Sequence, residues 1–373
     1  MTPKPDPAVK RTQRHPLLRS RAGVIGLVVI LVLVAACVGS LPFTMSSAGV
    51  SDDGQVLPAR YKHGELSRSL MPPSWAPHRE DEAARRSAGS ASLLGTDKLG
   101  RDLLTRCLAG GGVSIGIGAA AAGISVLIGT LYGALAGYVG GRADAIMMRI
   151  VDVLYGLPSL LLVVLLAVAG DAVLSDYVSR RPERERFVQR ELAGMTVERR
   201  EAERALVEEA ARGQFPAREL SETARSAYEI GVLLVAIGGL SWLTMSRVIR
   251  GQVLSLKEQS FMEAARAIGV PAHRQFVRHL LPNLTGTIVV YATLTMPQAM
   301  LQESFLSFLG IGVRAPLPSW GNLASEGLVE LNPVRNRWWL VVFPCGLLAV
   351  TLVALNFVGE GLREAFDPRK ARK

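Results

Sequence analysis

The side chains able to do chemistry are few and scattered. Five histidines stand at 15, 63, 78, 273 and 279 and three cysteines at Cys37, Cys107 and Cys345, with no C-x-x-C or H-E-x-x-H spacing, so neither a zinc site nor a metalloprotease centre is predicted. No G-x-x-x-x-G-K-[ST] phosphate loop occurs, and the G-x-G at Gly116 and Gly118 lies inside an apolar run where a dinucleotide fingerprint would not function. The charged residues that stand out are Glu303, isolated in an apolar stretch near Gln298 and Gln302, the cluster Asp97, Arg101 and Asp102, and Glu263 beside two alanines. Carboxylates in such settings bind ligands, brace helices or meet a protein partner. Nucleophilic catalysis would need a base beside a nucleophile, and no such pair is legible, so no enzymatic activity is expected.

The elements that must position these groups are set by hydropathy. Of 373 residues 49% are hydrophobic and only 6% aromatic, and the apolar residues are bunched: Ala22 to Pro42 and Trp338 to Val358 carry no charge. Roughly 20 such residues at ~1.5 Å each cross a ~30 Å hydrocarbon core. Soluble, collagenous, disulfide-stapled and disordered classes are thereby excluded, and the fold class is all-α, a polytopic membrane protein. Six spans are predicted at about 22–42, 112–137, 158–173, 230–248, 284–310 and 338–358. The third is the shortest; it either borrows length from Ile146 to Leu157 or tilts little.

The chain carries a net charge of +10. Residues 1–21, 139–157, 247–283 and 359–373 hold 19 basic and 8 acidic side chains, whereas 43–111, 174–229 and 311–337 hold 23 and 22. Short loops rich in Lys and Arg stay in the cytoplasm, which predicts both termini there. The excess charge is read as topology, and no nucleic-acid partner is expected. This gives a basic cytoplasmic tail at 1–21, a first span at 22–42, an external loop at 43–111, a core of five spans at 112–358, and a tail at 359–373. Within the core, 174–229 reads as an external charged hairpin, with Val188, Leu192, Met195, Ala202 and Leu206 at helical spacing until Gly213 and Pro216 interrupt. That stripe either packs on the protein itself or docks an external partner. Gly129, Gly133 and Gly137 fall four apart in the second span, as small residues do where helices approach closely in lipid.

The loop at 249–283 is the most informative. Phe261, Ala264, Ala265 and Ile268 form an apolar stripe, Gly269 suits a helix end, Pro271 can open a second short helix, and Pro282 is expected to close it. A protruding amphipathic helix is suited to a groove in another protein. The pattern Glu263, Ala264, Ala265, Gly269, Leu281, Pro282 resembles the EAA loop of the membrane subunits of bacterial ABC importers. Arg278 to Asn283, reading R-H-x-L-P-N, is similar to the dipeptide/oligopeptide/nickel branch. LLGTDKLGRDLLTR at 93–106, ESFLSFLGIGVRAPLPSWG at 303–321 and VGEGLREAFDPR at 358–369 resemble three further segments of that branch, in the same order.

The resemblance implies a permease subunit of the bacterial inner membrane that binds no cofactor, ATP and Mg belonging to partners. Those partners are two cytoplasmic ATPase subunits, a second homologous permease forming a heterodimer, an external solute-binding protein and the lipid bilayer. It further implies that Glu263 contacts the ATPase, that Ala264 and Ala265 allow close approach, and that Gly269 permits the turn. Peptides are the expected solutes, nickel or another small ligand the alternative. Glu303 and Gln302 are candidates for the translocation path, Glu303 equally for a hydrogen bond to the Ser304/Ser307 region. Asp97, Arg101 and Asp102 either brace the external face or meet the binding protein, and Asp144, Arg149 and Asp152 are expected as local salt bridges. The charged insert departs from the family pattern.

Overall fold

A computed structural model describes residues 20–51, 53–77, 82, 92–193, 195–331 and 336–366; most of the 1–21 tail, part of the 43–111 loop and the end of the 359–373 tail lie outside them. Among the described residues six helical segments are long and apolar enough to cross a membrane.

α1 (Arg21–Gly39) starts where the Ser20 hydroxyl accepts the Gly23 N–H at 3.2 Å, and is followed at once by the short α2 (Leu41–Thr44), whose first turn holds Pro42. α3 (Leu103–Val139) is 37 residues long, capped by Asp102 and ended at Gly140, whose φ of 71° a side chain would resist. It begins nine residues before the predicted 112, because its first turns leave the hydrocarbon zone and can carry a charged residue there. α4 (Gly141–Tyr155) is amphipathic and lies outside the six spans. α5 (Ser159–Ser179) gains its length at the C-terminal end, since the Gly156–Pro158 break separates it from α4; the expected borrowing from 146–157 does not occur.

The insert forms two helices, α6 (Arg181–Leu192) and α7 (Val197–Gln214), with Arg180 in the left-handed region turning the chain into α6. α8 (Glu222–Lys257) follows, then the short α9 (Ser260–Ala267) and α10 (Ala272–Gln275). α11 (Leu281–Phe308) contains Pro297. α12 (Trp320–Val329), inside a stretch with no predicted helix, is held by a capping box in which Ser319 accepts the Asn322 N–H and Asn322 accepts that of Ser319. α13 (Trp339–Phe366) runs eight residues past the predicted 358, so the first part of the expected tail is helix.

A Cβ on Gly23 would lie 3.1 Å from Gly361 Cα, which puts the start of α1 beside the end of α13. The two ends of the bundle thus share a face, called here the termini face. α3 and α8 pair most closely, and a Cβ at Gly133 would sit 2.2 Å from the Ser246 carbonyl oxygen, so only glycine fits. Gly129 abuts Met245, and Gly137 abuts Arg250 and Val253, so all three glycines serve contact within the chain. The core lies between α3, α5, α8 and α11, where Ile117, Val163, Leu233, Ile237 and Leu306 interlock. Outward-facing apolar side chains such as Leu127, Leu131 and Leu165 remain exposed, as a lipid-facing surface requires.

Candidate functional site

On the termini face, Met262 and Ala265 of α9 are buried, and Met262 joins Val253, Leu256, Leu280 and Leu284. Glu263 and Ala264 point outward, and Ile268 is 80% exposed. The expected stripe Phe261, Ala264, Ala265, Ile268 is therefore split. A helix anchored through Met262 and Ala265 turns Ala264 and Ile268 away from the bundle, leaving a free apolar strip beside a carboxylate. α9 ends in a Schellman arrangement: the Gly269 N–H donates to Arg266 O at 3.0 Å and the Val270 N–H to Ala265 O at 3.0 Å, with Gly269 at φ 74°. Pro271 then opens α10.

Pro282 does not close this second helix. A π-turn over Phe276–Leu280, in which the Leu281 N–H donates to Phe276 O, carries α10 into α11 and puts Pro282 in the first turn of α11. Proline lacks an N–H and crowds the carbonyl four residues back, and the wider π-turn relieves both demands. Leu281 is half-buried and Pro282 exposed at this junction.

The bend is tied to the spans by groups that sequence reading missed. Buried Gln275 donates to Val270 O at 2.6 Å and meets the Tyr138 hydroxyl of α3 at 3.2 Å. Lys257 Nζ donates to the carbonyls of Gly137 and Tyr138 at 3.2 and 2.7 Å, satisfying the end of α3, while Arg266 reaches Lys257 O at 2.6 Å. Asp144 and Asp152 of α4 are not local pairs: Asp144 takes both Nε and Nη2 of Arg250 at 2.5 Å, and Asp152 takes Arg247 at 2.8 Å. The Arg250 hydrogen bonds hold the Asp144 carboxyl below the usual carboxylate range. Arg149 remains exposed. The only sequence signal for these ties is a Lys or Arg in the last three turns of a helix, which many solvated residues share.

At the opposite end, Glu303 is fully buried, accepts from Ser307 at 2.8 Å and Ser304 at 3.2 Å, and lies against the hydroxyls of Ser114 and Ser319. The carboxylate thus gathers α3, α11 and the cap of α12, and does not open to a vestibule. Gln302 is half-buried, its Oε1 without a partner, and Gln298 is exposed. Asp97 accepts from Arg101 Nε at 2.6 Å and Arg106 Nη1 at 2.7 Å; Arg106, 1% exposed, also binds Glu326 of α12 at 2.7 and 3.1 Å. Asp102 caps α3 through the Thr105 N–H at 2.8 Å. The G-T-D-x-x-G-R-D segment is a brace between loop, α3 and α12, and Arg106 and Glu326 complete it. Buried carboxylates of this kind need such partners, since either charge alone would be strongly destabilising.

Residues 129–372 match the family of binding-protein-dependent transport system inner membrane components. The chain belongs to that family. This permease is similar to the oligopeptide transport system permease protein OppC of Haemophilus influenzae, 38% identical over 279 residues, 74% of this chain and 70% of that protein. It is likewise 38% identical over 279 residues to the dipeptide transport system permease protein DppC of Bacillus subtilis, covering 75% and 69% of the two. OppC of Escherichia coli is 36% identical over 283 residues, 75% of this chain and 73% of that protein. The permease is accordingly a multi-pass inner membrane component, and its six long apolar helices supply the passes.

Proposed function

We propose that this chain is the membrane-spanning subunit of an ATP-driven importer that translocates di- or oligopeptides delivered by an external solute-binding protein. The carrying observation is the α9 surface, where Glu263, Ala264 and Ile268 face outward on a helix whose other side is locked to α3, α8 and α11. A rigid projection of this kind transmits a push. Two ATPase subunits closing around ATP would press on it, one of them against this chain, and the ties through Gln275, Tyr138 and Lys257 would pass the displacement to α3 and α8. The other ATPase would engage a second, homologous permease. The termini face, where basic side chains far outnumber acidic ones, is then cytoplasmic.

Relatives that are oligopeptide and dipeptide permeases favour peptides over nickel as the solute. Glu303 is assigned to bracing the outer ends of α3, α11 and α12, with Gln302 left to face the path. The test is ATP-dependent uptake into proteoliposomes holding the permease pair, the ATPases and the binding protein, with di- to hexapeptides competing against Ni²⁺. Peptide uptake is expected; uptake of Ni²⁺ alone would move the function to a metal importer of the same architecture.

A further inference from the structure

At the end of α13 opposite the termini face, Trp75, Trp338, Trp339, Leu70, Pro72 and Pro77 wall a cavity of about 540 Å³. Trp75 and Trp338, with ring centroids 6.0 Å apart, form its aromatic side, and Phe343, outside the lining, lies 5.8 Å from Trp338 and 6.5 Å from Trp75. Trp339 stands at 86° to Trp338, 6.3 Å away, so an indole face and an indole edge meet at a corner. Trp75 is 60% exposed, yet its Nε1 is fixed to Leu93 O at 2.9 Å. Among the described residues its polar lining is Ser69, Glu82, Asn336 and Arg337, and Arg337 is held by Glu330 at 2.5 Å.

The place of this cavity relative to the bilayer is decided by α13. Trp338 immediately precedes the span, and the face one turn below it continues as Val342, Val350 and Val353, each about half exposed and none charged. Lipid covers such a face, and aromatic residues heading it sit at headgroup level. The cavity therefore adjoins the hydrocarbon boundary, and combines indole faces and a carboxylate with a guanidinium and an amide. Indole faces and a carboxylate attract an ammonium group; a guanidinium and an amide suit a phosphate.

We propose that this cavity binds the headgroup of a zwitterionic, ammonium-bearing phospholipid of the adjoining leaflet. The ammonium lies against Trp75 and Trp338 toward Glu82, the phosphate toward Arg337 and Asn336, and the acyl chains run down Val342 and Val353. Such a lipid would pin the loop bearing Trp75 to the head of α13 and so fix the outer end of the permease in the membrane plane.

The test is native mass spectrometry of the full chain in mild detergent, titrated with phosphatidylethanolamine, phosphatidylglycerol or soluble glycerophosphoethanolamine. Wild type is expected to retain one phosphatidylethanolamine about tenfold more tightly than phosphatidylglycerol, and to bind the soluble headgroup far more weakly. Trp75→Ala should lose about tenfold in that affinity and Glu82→Gln several-fold, whereas Trp75→Phe keeps a ring and most of the binding. Equal retention of both lipids, undiminished binding by both Trp75→Ala and Glu82→Gln, or equally tight binding of the soluble headgroup would each overturn the assignment. Because Trp75 is mostly exposed, truncating it leaves the bundle intact.

Discussion

Glu263 is an exposed charge on a helix held from behind, and the part proposed for it is a contact outside this chain. Reversal of its charge should leave insertion and folding untouched and abolish most ATP-driven uptake, by more than about tenfold, since like charges placed against each other at an interface cost several kcal/mol. Proteoliposomes carrying Glu263→Arg would be compared with wild type for uptake per ATP hydrolysed; undiminished uptake would remove the coupling role. Asp144 is the inverse case, a carboxylate committed inside the chain. Its folded pKa is depressed by Arg250, so its stabilisation is present above the unfolded value of about 3.9 and is lost as pH falls through the folded one. Asp144→Asn should lower the melting temperature near pH 7, with the gap from wild type closing below about pH 4. A gap that is constant with pH would show that the α4–α8 tie is not ionic.

Among the elements, the α6–α7 hairpin is the one built from the charged insert. It folds largely on itself: Phe187 packs on Phe215 at 5.9 Å, Arg184 reaches Phe215 O at 2.9 Å, and the Arg218 N–H closes onto Val178 O at 2.8 Å. Leu206 stays exposed and Val188 half-buried, so the predicted apolar stripe is not covered along its length. Its outer faces carry Arg–Glu pairs at i, i+4, Arg181–Glu185, Arg199–Glu203 and Arg204–Glu208, each of small energetic worth. α5 and α8 are meanwhile joined directly where Tyr228 donates to Gly170 O at 3.0 Å. Deleting 181–217 should therefore leave both spans paired, and co-purification of the ATPases unchanged, because α9 lies at the other end of α8. Loss of the ATPases from a monodisperse deletion variant would contradict that separation.

For the whole molecule, six spans put α9 and both ends of the bundle on one face and the hairpin, the Asp97–Arg106–Glu326 brace and α12 on the other. With the basic loops inside, a cysteine at 206 should react with a membrane-impermeant maleimide on intact cells, in a background with Cys37, Cys107 and Cys345 replaced. A cysteine at 268 should react only after permeabilisation. The reverse pattern would invert the topology. Hydrophobic runs were enough to infer the all-α class and the six passes, because these depend on the length of a membrane crossing, and the four-residue glycine spacing marked where α3 is closely approached; the part expected of Glu263 came from the resemblance of its loop, since local periodicity there misplaced the buried face of α9. What those signals could not supply was every partner lying far away in sequence. Asp144 finds Arg250, and Arg106 bridges Asp97 to Glu326, only once α3, α4, α8 and α12 are packed, and Pro282 enters α11 only because a π-turn precedes it. Glu303 is equally compatible with a vestibule or a hydroxyl cage until Ser114 and Ser319 are brought to it, since the composition of one helix does not determine which neighbours desolvate its single carboxylate.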